Sequence, residues 1–415
     1  MKRVLIGLGV LVLLYGVYSV GRGYVITWYA DTRMPRQTRT VADENPSQVC
    51  LTFGADPRTT LAAQWRTATS VTEALVQVKE GADGAVVEFP AKRETISDPM
   101  LKNDPENARW SAVMSGLKPG TKYQYRAGSK AGDHWTPWTD LTTAPEGAQP
   151  YSFVYMGDPQ LGLDYWGKLL HACHAKFPNA AFDVIAGDLV DRGKYRDDWD
   201  TFFEAADGIF NRYPIVPVLG NHDYSSKPVP EMYLKIFTLP ENGPKELPKE
   251  YAYSYRYGNT LFVILDANQD PKTQAPWLEE TLKNTDATWK IASFHQPAYA
   301  SKSTRDNPEI REVWGALFDK YHVDVAIQGH DHAYLRTPPM RAGKKAASFA
   351  EGTVYIISVS GTKYYDQDPH DYAEVQFANT STYQILDIGT TPKNTLTYHA
   401  YDLEGTVKDE FHIEK

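Results

Sequence analysis

The sequence predicts an α/β chain in two parts: an all-β sandwich over residues 46–145, then a layered α/β domain over 150–415. Residues 46–145 hold short runs rich in β-branched and aromatic residues, separated by Gly, Pro and Asp turns. After the Pro-bounded linker Ala144–Pro150, apolar runs stop abruptly at polar residues and alternate with stretches of helical spacing. The 415 residues are 42% hydrophobic and 23% charged, which suits a globular chain able to bury a large core. A net charge of −9 excludes a general nucleic-acid binder, which needs a basic surplus to neutralise phosphates. Two cysteines, Cys50 and Cys173, exclude a disulfide-stapled scaffold and a Cys-built zinc site.

Taken in order, Lys2 and Arg3 precede an uncharged apolar run from Val4 to Val20. Residues 1–23 read as a signal anchor or a signal peptide, the anchor preferred because no good small-x-small cleavage site follows. Either way, the positive charges put the remainder outside the cytoplasm, membrane-anchored or secreted. Residues 24–45 are polar and without pattern, a stalk. In the sandwich, Leu61–Arg66, Ala74–Val78, Val86–Phe89 and Tyr123–Arg126 read as strands. The string from Leu117 to Tyr125 resembles the L-x-P-G-T-x-Y turn of a fibronectin type III domain, which implies a spacer or partner-binding module.

The second part holds apolar runs at Phe153–Met156, Val184–Ala186, Ile215–Leu219, Leu261–Leu265, Ile291–Phe294, Val323–Ile327 and Val354–Ile357. Ile310, Val313, Trp314, Leu317, Phe318 and Tyr321 follow helical spacing, as do Trp199, Phe202, Phe203, Ala206 and Phe210; both stripes read as core. The C-terminal runs from Tyr383 alternate as strands and are expected to complete the second sheet of a sandwich flanked by helices.

Five apolar runs stop at a potential metal ligand: Asp158 with Gln160, Asp188 with Asp191 and Arg192, Asn221 with His222, His295, and His330 with His332. Ligand sites in open α/β sheets lie at the carboxyl ends of strands, so the five loops are expected at one edge. A Gly precedes four of the ligands and is expected to let the backbone turn there. Carboxylate, carboxamide and imidazole together suit Fe, Zn or Mn. One carboxylate can bridge two cations, and such a pair can activate a hydroxide and clamp a phosphoryl group.

Asp158, then Gly-Asp-x-x-Asp-Arg, Gly-Asn-His-Asp, His295 and Gly-His-x-His together resemble the calcineurin-like metallophosphoesterase superfamily. With the β module ahead of it, the chain looks most like the purple acid phosphatase branch. The resemblance implies a four-layer αββα sandwich and two metal ions. It implies hydrolysis of phosphate esters by direct attack of a metal-bridging hydroxide, monoesters more than diesters. Asp188 would bridge; Asp158 and His332 would hold the first metal; Asn221, His295 and His330 the second. His222 would contact the phosphate and protonate the leaving oxygen. Alternatives are a phosphodiesterase or nucleotidase, and a non-catalytic surface binding protein with a structural metal site.

Two positions depart from the pattern. Asp191 stands where purple acid phosphatases carry the tyrosine that colours their iron, so a colourless protein is expected. Gln160 replaces the His of the superfamily's Asp-x-His and is a candidate carboxamide ligand. By resemblance to the Ser/Thr-phosphatase side of the superfamily, Asp191 would orient His222 and raise its pKa, and Arg192 would hold the phosphate. His171 and His174 read as structural. Lys363, Tyr364 and Tyr365 follow a strand and Gly361 and are candidates to line the cleft.

Overall fold

The computed structural model describes residues 34–225 and 228–415. The apolar run 4–20 and the first part of the expected stalk lie outside the described residues.

The N-terminal unit is a β-sandwich. One sheet pairs Ser47–Phe53, Leu61–Thr67, Glu106–Met114 and Lys92–Ser97; the other is built on Leu75–Glu80 and Lys122–Ser129. Trp65 and Trp110 sit in register on adjacent strands and stack at 6.5 Å in its core. Residues 34–45 do not stand off as a stalk. Arg36 is paired with both Asp98 and Asp197, and the Thr38 amide donates to Asn103. The segment is held because its arginine meets carboxylates from both units.

The α/β unit has two facing sheets. In the first, the parallel strands Tyr151–Met156, Asp183–Ile185 and Ile215–Pro217 are joined by the antiparallel C-terminal strands Tyr383–Gly389, Thr395–Tyr401 and Val407–Glu414. The C-terminal strands therefore extend the sheet that opens the domain rather than complete the second one. In the second sheet, Thr260–Ile264, Trp289–Ser293, Val325–Gln328 and Val354–Ile357 run parallel. Period-2 alternation sets its two faces. Phe262 and Ile264 enter the core shared with the first sheet, where Phe262 meets Phe153 edge-on at 5.2 Å. Leu261, Val263 and Leu265 face outward onto Leu278, Leu282 and Phe318 of the covering helices. On the other side, helix Leu163–Lys176 packs on Tyr383–Gly389 and on helix Arg196–Ala205. The stripe from Ile310 to Tyr321 is helical but passes through a wider π-type turn at Arg311–Gly315.

The two units meet across buried charge. Arg66 Nη1 donates to Asp200 Oδ1 at 2.9 Å, and Arg196 Nη2 reaches Asp104 Oδ2 at 2.9 Å. These four side chains are nearly inaccessible to water. Cys50 and Cys173 are buried free thiols.

Candidate metal centre

Each of the five ligand-bearing loops leaves the carboxyl end of a parallel strand. Tyr151–Met156 leads to Asp158, Asp183–Ile185 to Asp188, and Ile215–Pro217 to Asn221 in one sheet; Trp289–Ser293 leads to His295, and Val325–Gln328 to His330 and His332 in the other. The site therefore straddles the sandwich, half of it from each sheet.

Two clusters result. Asp188, His295 and His330 bring ligand atoms within 4.8 Å of one another, and so do Asp158, Asp188 and His332. Asp188 is common to both. Each carboxylate is tied down by one oxygen. The His330 amide donates to Asp158 Oδ2 and the His222 amide to Asp188 Oδ1, both at 2.7 Å. The other oxygens face inward, with Asp188 Oδ2 at 3.1 Å from His295 Nε2. The imidazoles are oriented in the same manner. His295 Nδ1 donates to the Ala186 carbonyl at 2.8 Å and His332 Nδ1 to the Lys363 carbonyl at 3.1 Å, which leaves each Nε2 for a ligand.

These residues fit a pair of cations. Buried acceptors are normally satisfied, yet among the described residues Asp158 Oδ1 and Asn221 Oδ1 have no hydrogen-bond partner. Gln160 is buried with Nε2 at 3.1 Å from Asp188 Oδ2 and 3.2 Å from His332 Nε2, while its Oε1 has no partner among the described residues. An amide flip exchanges the two ends and presents the oxygen to that cluster. Electrostatics agree. Burial raises the Asp158 carboxyl well above its usual range, and burial lowers His330 to about 2 and His332 to about 4. Burial disfavours charge on His295 too, but Asp188 and Asp158 push it up to about 10. Without metal, one imidazolium carries the positive charge that the carboxylates require.

The backbone around the site is unusual. Asp158, Asp188, His330 and His332 have φ of 54°, 51°, 76° and 43°. Left-handed backbone costs a side-chain-bearing residue about 1–2 kcal/mol, and such positions cluster at functional sites. The glycines before the ligands act differently from expectation: of Gly157, Gly187, Gly220 and Gly329, only Gly187 has positive φ. Their shared property is room. A Cβ on Gly187 would strike the His295 ring, and one on Gly220 would strike Asp188.

His222 lies beside the clusters and belongs to neither. Its Nδ1 is 2.7 Å from the Asp191 carbonyl and 3.2 Å from Asp191 Oδ1, and its Nε2 is 4.0 Å from Asp188 Oδ2. Arg192 departs from expectation. Its Nε and Nη2 donate to Asp198 at 3.0 and 2.5 Å, so the fork meant for a phosphate is closed on a carboxylate. The reason is local: Asp198 lies in the first turn of helix Arg196–Ala205, one short loop away. Asp223 closes the Gly-Asn-His-Asp string, and nothing in the string marks its part in the site. Buried, it accepts from the Leu189 and Gly220 amides at 3.0 and 2.8 Å and staples the Asp188 loop to the Asn221 loop. His174 pairs with buried Asp183 at 2.9 Å, away from the clusters, as a structural histidine.

Paired ligand clusters sharing one aspartate, set on facing sheets, are suited to holding two cations side by side. Comparison with known families agrees: residues 151–334 match the calcineurin-like phosphoesterase family, and residues 46–143 match the purple acid phosphatase N-terminal domain. The chain thus carries a calcineurin-like phosphoesterase domain behind a purple acid phosphatase N-terminal domain. A probable purple acid phosphatase of Arabidopsis thaliana is 28% identical over 279 residues, covering 62% of this chain and 63% of its own. An uncharacterized protein of Mycobacterium tuberculosis is 25% identical over 334 residues, covering 70% of this chain and 62% of its own. The chain thus spans under two thirds of the length of these curated relatives. Among solved structures, a purple acid phosphatase from yellow lupin (Lupinus luteus) seeds has a TM-score of 0.78 at 19% identity, covering 89% of this chain and 74% of that one. PhoD has a TM-score of 0.65 at 14% identity, covering 91% and 92%. At these identities the structural likenesses show the fold.

Proposed function

We propose that the chain is a phosphoric ester hydrolase that acts by direct displacement at phosphorus, on monoesters in preference to diesters. The observation that carries this reading is the pair of ligand clusters sharing Asp188, with the orphaned oxygens of Asp158 and Asn221 beside them and His222 at their edge. Asp158, Gln160, Asp188 and His332 would hold one cation, and Asp188, Asn221, His295 and His330 the other. Such a pair, whether Fe, Zn or Mn, supplies charge to polarise a phosphoryl oxygen and to activate water at neutral pH.

The chain's own residues do the rest. The amides of His222 and His330 keep both carboxylates from rotating. Asp191 accepts the Nδ1–H hydrogen bond of His222 and so points Nε2, protonated, at the space beside Asp188. From there Nε2 donates its proton to the departing ester oxygen, general acid catalysis worth about 10²–10⁴-fold. The basic residues and apolar run at the N-terminus support an exported chain held at a membrane through that segment, or secreted.

The test is metal analysis of purified protein followed by p-nitrophenyl phosphate and bis-p-nitrophenyl phosphate turnover with Mn, Fe or Zn supplied. Close to two ions per chain and faster monoester cleavage are expected. Faster diester cleavage would move the reading to a phosphodiesterase. Silence on both substrates in metal-replete protein would turn it to a surface binding protein.

A further inference from the structure

The parallel strand Val354–Ile357 adds one more carboxyl-end loop to the edge that bears the clusters. Residues 358–365 of that loop are laced to the metal-site loops. The Ser360 amide donates to the Gly157 carbonyl at 2.8 Å, the Gly361 amide to the Asp158 carbonyl at 3.1 Å, and the Tyr365 amide to the His332 carbonyl at 3.0 Å. His332 Nδ1 in turn donates to the Lys363 carbonyl at 3.1 Å. The Tyr365 ring lies 4.8 Å from the His332 ring, and Lys363 Nζ lies 5.1 Å from the Tyr365 centroid.

A phosphoryl group bound at two cations still presents anionic oxygens on its outer side, which call for a protein donor. Arg192 is closed on Asp198. Arg305 is taken up by Asp331 Oδ1 at 2.7 Å and the His330 carbonyl at 3.0 Å. Lys363 is half-buried, and among the described residues its ammonium lies against the Tyr365 ring rather than against a carboxylate. That ring also meets the His332 imidazole of the cluster.

We infer that Lys363 is a substrate-binding residue whose ammonium grips the phosphate oxygens turned away from the metal clusters, the part assigned by resemblance to Arg192. This rests on the proposed phosphoesterase reading and deepens it. A flexible ammonium donor sets no bidentate geometry, so the site should hold terminal phosphate oxygens by charge rather than by shape.

The test measures inorganic phosphate binding, by calorimetry and as competitive inhibition, on metal-loaded wild type, Lys363→Met and Lys363→Arg, with metal content measured on each. A lost hydrogen bond to a charged group should weaken phosphate affinity by about ten- to a hundredfold in Lys363→Met. Lys363→Arg should recover most of it, and metal content should be the same in all three, because only the backbone carbonyl of Lys363 touches a ligand. Unchanged phosphate affinity in metal-replete Lys363→Met overturns the inference alone. So does loss of metal by that variant, which would make the side chain structural. Failure of the wild type to hold metal or phosphate overturns the functional reading beneath it.

Discussion

Removing the Asp191 carboxylate charge, as in Asp191→Asn, tests how His222 is held in its acid form. His222 is pushed up to about 9: the hydrogen bond it donates to Asp191 is the largest cause, burial opposes it and Asp188 adds to it. The sign follows directly. A raised histidine pKa keeps the acid form present below about 9 and lost above it. At pH 8 a group titrating at about 9 is roughly nine-tenths protonated and one at about 6.5 is roughly 3% protonated, a ratio of about thirtyfold. That is an upper bound, because the Asp191 carbonyl at 2.7 Å still accepts from Nδ1 in the variant. Cations beside Asp188 would lower the absolute value in both proteins, while the contribution of Asp191 remains as the difference between them. The assay is the pH profile of kcat/KM with an alkyl phosphate, whose leaving oxygen needs a proton, and with p-nitrophenyl phosphate, whose leaving group does not. For the alkyl substrate the alkaline limb should move toward neutrality by up to about 2.5 units. The p-nitrophenyl profile should hardly change. Equal displacement of both profiles, or of neither, refutes the assignment of His222 as the proton donor.

Asp188→Asn should empty both clusters together, taking metal content from two ions to near none, because the two sets share that side chain; retention of one ion would show them to be independent. Apparent metal affinity should rise about tenfold per pH unit up to about 10, as binding must displace the His295 proton; a flat titration between pH 6 and 9 contradicts this. Asp200→Ala should cost about 3–5 kcal/mol in urea unfolding by stranding the buried Arg66; a loss under 1 kcal/mol would show that water reaches the interface. Iron-loaded protein should be colourless in the visible, since Asp191 rather than a tyrosine stands beside Asp188's loop and faces His222; a purple sample would contradict that.

The ligand loops were legible because each apolar run that stopped at Asp, Asn or His is a parallel strand whose end opens on the site. Lys92–Ser97 and Glu106–Met114 were not legible as strands. Arg109, Asn107 and Arg93 break their alternation, and the buried Arg109 finds its partners only in the fold, in Gln48 of the same sheet and the ring of Phe203 in the α/β unit. Stalk-like residues 34–45 misled for the same reason, since their polar side chains find partners far along the chain. Arg192 misled because a motif names a residue and not its nearest carboxylate. The twist that sends the C-terminal strands back to the first sheet is set by Tyr383–Gly389 pairing antiparallel with Tyr151–Met156, a long-range choice that period-2 alternation does not encode.

Four of the side chains that would bind cations sit where glycine would be more comfortable. Heat resistance and chemistry therefore pull this protein in opposite directions. A laboratory evolution that scored only soluble yield or melting point would drift toward glycine at positions 158, 188, 330 and 332. It would enrich sturdier, inert descendants, so any stabilisation campaign must score turnover in every round.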